Sequence, residues 1–260
     1  MNSTTTHSRS RHQAAAFTLV DLLAIIGVLA VGFALLTPTL ARTQPNSKTF
    51  QCLNNHRQLC RAWLMYADDN RDWLLDARSW MYGDVSPGGG TEQTNVSYLK
   101  ASRLSPYLGG NYEAYKCPSD PRTYLGKPVV RSVSMNCYIG KDLWDPIYLS
   151  YTKLSSMTRP GPATTLVILD ESSLSINDGL FAVNMSGYDP YRPSALAFVS
   201  VPGSFHNNAG SLSFADGHAE IHRWRDPRTA KAVLFTSSPN NADVAWLQER
   251  STRKLNNPTR

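Results

Sequence analysis

Apolar and polar positions fall into three regimes along the chain. From Phe17 to Leu36 the sequence FTLVDLLAIIGVLAVGFALL runs for twenty residues with Asp21 as its only charge. At about 1.5 Å per residue a helix of this length matches the roughly 30 Å of a bilayer core, so the run predicts a membrane-spanning helix. The small residues Ala14, Ala15 and Ala16 precede the run instead of following it, the reverse of the order at an ordinary secretory cleavage site. Beyond Pro38 and Pro45, the stretch Ser47 to Asn70 places Phe50, Leu53, Cys60, Leu64 and Ala67 on one helical stripe, with Cys52, Leu59, Trp63 and Tyr66 on an adjoining one. That period predicts an amphipathic helix packed under a sheet. After Asn70 the pattern breaks into short strand-like runs punctuated by Gly and Pro, of which Thr164 to Leu169 is the strongest. Asp216-Gly217, between two alternating runs, predicts a hairpin with a two-residue turn that pairs Phe214 with Ala219 and Leu212 with Ile221. Period two then puts Leu212, Phe214, Ala219 and Ile221 on a buried face, with Ser213, His218, Glu220 and His222 opposite.

Composition adds little that is specific: 42% hydrophobic and 18% charged residues suit a chain with a packed core. The net charge of +6 is scattered among twenty acids with no basic run, which argues against a nucleic-acid partner. The four cysteines, Cys52, Cys60, Cys117 and Cys137, form no CxxC pair, so a zinc ribbon or thioredoxin motif is not supported. Disulfides are the better reading if the domain is exported. Cys52 and Cys60 share one predicted helix, where eight residues span about 12 Å, beyond the roughly 7 Å Cα limit of a bridge. Each then pairs with Cys117 or Cys137, leaving two connectivities, with free buried thiols as the alternative.

A carboxylate in a membrane helix costs about 2.5–3.5 kcal/mol at the centre and less near an end, so Asp21 needs either hydration at the interface or a partner. Asp170-Glu171, at the end of the strongest strand, reads as the start of a solvated loop more readily than as a catalytic pair. His218 and His222 share a strand face but stand about 13 Å apart, too far to hold one ion together. His206 is expected to hydrogen-bond Asp216 and hold its loop against the hairpin. No GxSxG, HExxH or Walker run is present, and the chain reads as a non-enzyme.

Phe17-Thr18-Leu19-Val20-Asp21-Leu22-Leu23 resembles the prepilin cleavage and methylation motif. The resemblance implies cleavage between Ala16 and Phe17 by a prepilin peptidase, N-methylation of Phe17, and an acid, here Asp21, that pairs with the amine of a neighbouring subunit. Ala16 stands where the family usually has Gly, and Asp21 where it usually has Glu. Counted from Phe17, Pro38 falls where many pilins carry a kinking proline. Nine residues separate His206 from Asp216-Gly217, matching the H-X9-DG signature of prepilin-type processing-associated domains. Tyr115 to Asp120 and Ser134-Met135-Asn136 extend the likeness, and Cys137, where the family often has Gly, would give Cys60 a partner.

The resemblance implies an α+β pilin-like fold: a leader over 1–16, a transmembrane helix over 17–36 continuing as a stalk over 37–70, and an antiparallel sheet within a globular domain over 71–260 with its hairpin at 211–224. It implies a single-pass protein of the bacterial inner membrane with that domain extracytoplasmic, in the periplasm or on a surface filament. The function it implies is a subunit of a type II secretion or type IV pilus-like filament, joined to other pilin-like subunits through the N-terminal helix. The alternatives are a membrane-tethered binding module and a metal-dependent enzyme. No cofactor is expected, except that calcium at carbonyls with Asp120 or Asp216 is suggested by the calcium sites of some pseudopilins.

Overall fold

The computed structural model describes residues 19–41, 47–141, 145–189, 191 and 196–255. The chain divides into two compact units, Met1–Gln44 and Pro45–Arg260.

The first unit contains helix α1 (Leu19–Ala41), with Asp21 in its first turn, where a carboxylate faces the positive end of the helix dipole. Among the described residues no helix is long and apolar enough to cross a membrane. The expectation of a single-pass inner-membrane protein is corrected accordingly. The expected single long helix is corrected as well. Helix α2 (Lys48–Asp69) starts afresh in the second unit at Ser47, whose backbone is extended and whose Oγ accepts from the Phe50 N–H at 3.2 Å. An N-cap of this kind satisfies a first-turn donor and marks the start of a new helix.

The buried face of α2 is Cys52, His56, Leu59, Cys60, Trp63 and Ala67, a spacing of three and four residues that keeps one stripe on the core. The buried face draws on both predicted stripes, taking Cys60 and Ala67 from the first and Cys52, Leu59 and Trp63 from the second, while Tyr66 is only half-buried and Phe50 is exposed. Helix α3 (Val96–Lys100) is a short surface turn, and strands β1 (Thr123–Tyr124) and β2 (Lys127–Pro128) form a small separate hairpin.

The main sheet has five strands in the order β5-β3-β4-β6-β7: β3 (Val133–Asn136), β4 (Leu166–Asp170), β5 (Leu180–Phe181), β6 (Ala209–Phe214) and β7 (Ala219–Arg223). It is mixed, not antiparallel throughout, because β5 runs parallel to β3. Every residue of β4 is buried, as expected for an apolar run in the middle of a covered sheet. Asp170, and Glu171 beyond it, are buried too, not the solvated loop expected. Helix α2 packs along β4, β6 and β7. Helix α4 (Ala242–Ser251) adds Val244 and Leu247 to the same core.

The β6–β7 hairpin forms, but one residue out of the expected register: Ser213 pairs with Ala219, Leu212 with Glu220 and Ser211 with Ile221. The loop is three residues, not two. The Gly217 N–H donates to Phe214 O and the Phe214 N–H to His218 O, both at 2.9 Å, with Gly217 at φ +96°. A turn followed by a left-handed glycine is the three-residue hairpin loop, and its extra residue shifts every pair. Ser211 and Ser213 consequently meet Cys52 and Cys60 of α2, so the small polar residues lie against the helix. Gly217→Ala is expected to lower stability by about 1 kcal/mol, because a Cβ at positive φ is strained and would also approach Leu64 Cδ1 at 3.2 Å. A denaturant midpoint unchanged from wild type would contradict this loop geometry.

Candidate functional site

Four segments converge beneath the first two turns of α2. Cys52 and His56 lie one turn apart on the helix, so both point at the sheet. Asp170 ends β4, Cys117 follows the 3₁₀ turn Tyr112–Tyr115, and His206 lies in the loop before β6. The Cys52 thiol lies 3.4 Å from Asp170 Oδ2, and His56 Nε2 lies 3.2 Å from Asp170 Oδ1. The Ser211 N–H donates to Asp170 Oδ2 at 2.9 Å. Cys117 Sγ lies 3.2 Å from His206 Nε2, which is itself 4.0 Å from Asp170 Oδ2. On the far side of the ring, His206 Nδ1 meets Thr49 Oγ1 at 3.3 Å. One donor atom from each of Cys52, Cys117, Asp170 and His206 lies within 4.8 Å of all the others.

The two thiols are driven apart in acidity. Hydrogen bonding with Cys52 and with His206 lowers Cys117 to about 6 against the opposing effect of burial. Cys52 goes up, chiefly through burial and then through Cys117 and Asp170. For His206 burial acts downward but is outweighed by Cys117 and Asp170, leaving it raised. The side chains of Asp170 and His206 are at most 3% exposed, and both thiols are buried. A groove of about 820 Å³ is lined by chain neighbours of Cys52 and Cys117, namely Gln51, Lys116 and Pro118, with Asn55, Tyr112 and Val129 among others, but not by the four residues themselves. The cluster is a closed set of soft and hard donors.

Comparison of the chain with protein-family models, with curated proteins and with solved structures finds no match.

Of the residues singled out in the sequence, Ala16 and Phe17 lie outside the described residues, while Asp21 and Pro38 lie within α1. All four cysteines are free thiols, so neither expected disulfide connectivity is formed. Cys52 and Cys117 do come together, but Cys60 donates to Phe214 O at 3.0 Å and Cys137 Sγ accepts from the Val183 N–H at 3.5 Å. Burial raises both of these thiols to about 12.

His206 joins Cys117 and not Asp216. The Asp216 carboxylate is taken by its own hairpin, with Oδ1 at 2.6 Å from His218 Nδ1 and 3.1 Å from the His218 N–H. Asp120 is gripped by Arg122, Nε to both oxygens at 3.1 Å and one terminal nitrogen at 2.8 Å. Neither calcium candidate stands in the four-residue cluster. His218 stacks on Phe214 and His222 on Trp246, so these histidines serve separate aromatic contacts. The sequence reading missed the joint role of His56 and Asp170. The available signal was Cys52 and His56 four residues apart on one apolar stripe, which puts two ligating side chains into a helix face that otherwise faces the core.

Proposed function

We propose that the chain is a pilin-like assembly subunit: α1 packs against α1 of other copies, and the Pro45–Arg260 unit is displayed on the resulting filament. The observation that carries this reading is the surface of α1. Leu19, Val20, Leu22, Leu23, Ile25, Ile26, Val28, Leu29 and Val31 are all exposed, and at 100° per residue they cover the whole circumference. A helix apolar on every side requires cover by other apolar surface, and copies of the same helix supply it in matching length. The prepilin-like run at Phe17–Leu23 supports the same reading. If cleavage exposes the amine of Phe17, its pairing with Asp21 of a neighbour joins two different patches. Such a heterologous contact propagates as an open helix when its rotation does not close a ring.

The test is sedimentation of the full-length chain beside a Leu22→Lys, Ile26→Lys variant that charges one side of α1. Wild type is expected as species of many chains and the variant as a single chain with an unchanged far-UV spectrum of the globular unit. A wild-type protein that sediments as one chain at micromolar concentration would sink the proposal. Asp21→Ala is expected to weaken assembly while leaving the apolar packing in place.

A further inference from the structure

We infer that Cys52, Cys117, Asp170 and His206 form a structural zinc site that ties α2 to the sheet. The inference is independent of assembly through α1, since every ligand belongs to the Pro45–Arg260 unit.

Four arguments carry it. The first is geometric. Zinc bonds of about 2.3 Å to sulfur and about 2.0–2.2 Å to nitrogen and oxygen imply ligand-to-ligand edges of roughly 3.3–3.8 Å around a tetrahedron. The cluster shows 3.2 Å for Cys117 to His206, 3.4 Å for Cys52 to Asp170 and 4.0 Å for His206 to Asp170, with every edge inside 4.8 Å. Side-chain adjustments well under an ångström per ligand bring these values to the zinc range.

The second is donor chemistry. Two thiols, one imidazole and one carboxylate are a donor set for zinc, whereas calcium and magnesium take oxygen alone. The third is the outer shell. His206 presents Nε2 to the cluster because Nδ1 is engaged by Thr49 Oγ1. Asp170 is oriented by His56 Nε2 and the Ser211 N–H, and the Cys117 N–H donates to Ser132 Oγ at 2.6 Å. Ligands whose remaining polar atoms are already held in this way are what a metal site requires.

The fourth is closure. Four protein ligands in a buried position leave no open coordination position for a substrate, which separates a structural site from a catalytic one. The same burial, with the Cys117 thiol buried and the His206 side chain 3% exposed, weighs against the pair acting as a nucleophile and base. On binding, the proton that Cys52 directs at Asp170 and any proton shared by Cys117 and His206 pass to solvent, and zinc takes their place between the same atoms.

The experiment is a cobalt(II) titration of the full-length chain, stripped of metal and held in a phosphine reductant. Wild type is expected to develop tetrahedral d–d bands and a thiolate-to-cobalt charge-transfer band, complete at one equivalent and abolished by one equivalent of zinc. Cys60→Ser, which removes a buried thiol outside the cluster, is expected to keep the full band. Cys117→Ser is expected to lose about half of the charge-transfer intensity, and His206→Asn to weaken binding at least tenfold while keeping both thiolate bonds. Absence of a thiolate band in the reduced wild-type chain would overturn the inference whether or not the variants fold. So would an unchanged band in Cys117→Ser.

Discussion

Asp170→Ala is expected to lower the unfolding free energy of the Pro45–Arg260 unit by about 3–5 kcal/mol in the presence of a chelator, and so without any contribution from metal. The size follows from what converges on one carboxylate. Asp170 receives the Ser211 N–H, lies against His56 Nε2 and takes the Cys52 thiol, all out of contact with water. His56 is fully buried, and its Nδ1 already lacks a partner among the described residues, so losing Asp170 strands both ring nitrogens. A buried donor without an acceptor forfeits its hydration with nothing in return. Asp170→Asn keeps one carbonyl oxygen for Ser211 or His56 and is expected to lose less, about 1–3 kcal/mol. Urea unfolding followed by tryptophan fluorescence distinguishes the two. Equal midpoints for wild type and Asp170→Ala would mean that this carboxylate does not organise the junction of α2 with the sheet.

The second large effect is expected at Trp63, which is fully buried on α2 within the main core. Trp63→Ala removes a whole indole from a close-packed interior and is expected to destabilise by about 3–5 kcal/mol. Trp63→Phe should be far milder, below about 2 kcal/mol, for a specific reason: the indole Nε1 has no hydrogen-bond partner among the described residues, so the phenyl ring removes an unmet donor along with some volume. Trp80 is the contrasting case, because its Nε1 donates to Gly179 O at 2.9 Å. Trp80→Phe is therefore expected to lose more than Trp63→Phe. The reverse order in thermal unfolding would show that the two indoles are not distinguished by their polar atoms.

Helix α2, strand β4 and the β6–β7 hairpin were legible in the chain because each is written in a local period. A spacing of three and four marks the Cys52 to Ala67 stripe, an unbroken apolar run marks Leu166 to Leu169, and alternation about Asp216-Gly217 marks the hairpin. The hairpin register was not legible. Asp-Gly fits a two-residue type I′ loop, which needs positive φ at both residues, as well as a three-residue loop; of the pair only Gly217 takes positive φ, with Ser211 and Ser213 packed against α2. The parallel strand β5 was also hidden, since two residues paired to a distant strand leave no period to read.

The candidate zinc site shows the same division. Residue types alone supplied the inventory: four cysteines without a CxxC pair, His206 ahead of the hairpin, Asp170 closing the strongest strand, and an apolar N-terminal run with one acid. Which of these meet was decided by the tertiary fold. Cys52 and Asp170 are 118 residues apart, and Cys117 and His206 are 89 apart. The sheet order β3-β4-β6, with α2 laid across it, brings all four together and leaves Cys60, Cys137, Asp120 and Asp216 to other partners. Local sequence determines helix faces and strand alternation because backbone geometry repeats every few residues. Pairing across such distances has no repeat in the chain, and is set by how the faces of α2 and the sheet fit when both are buried.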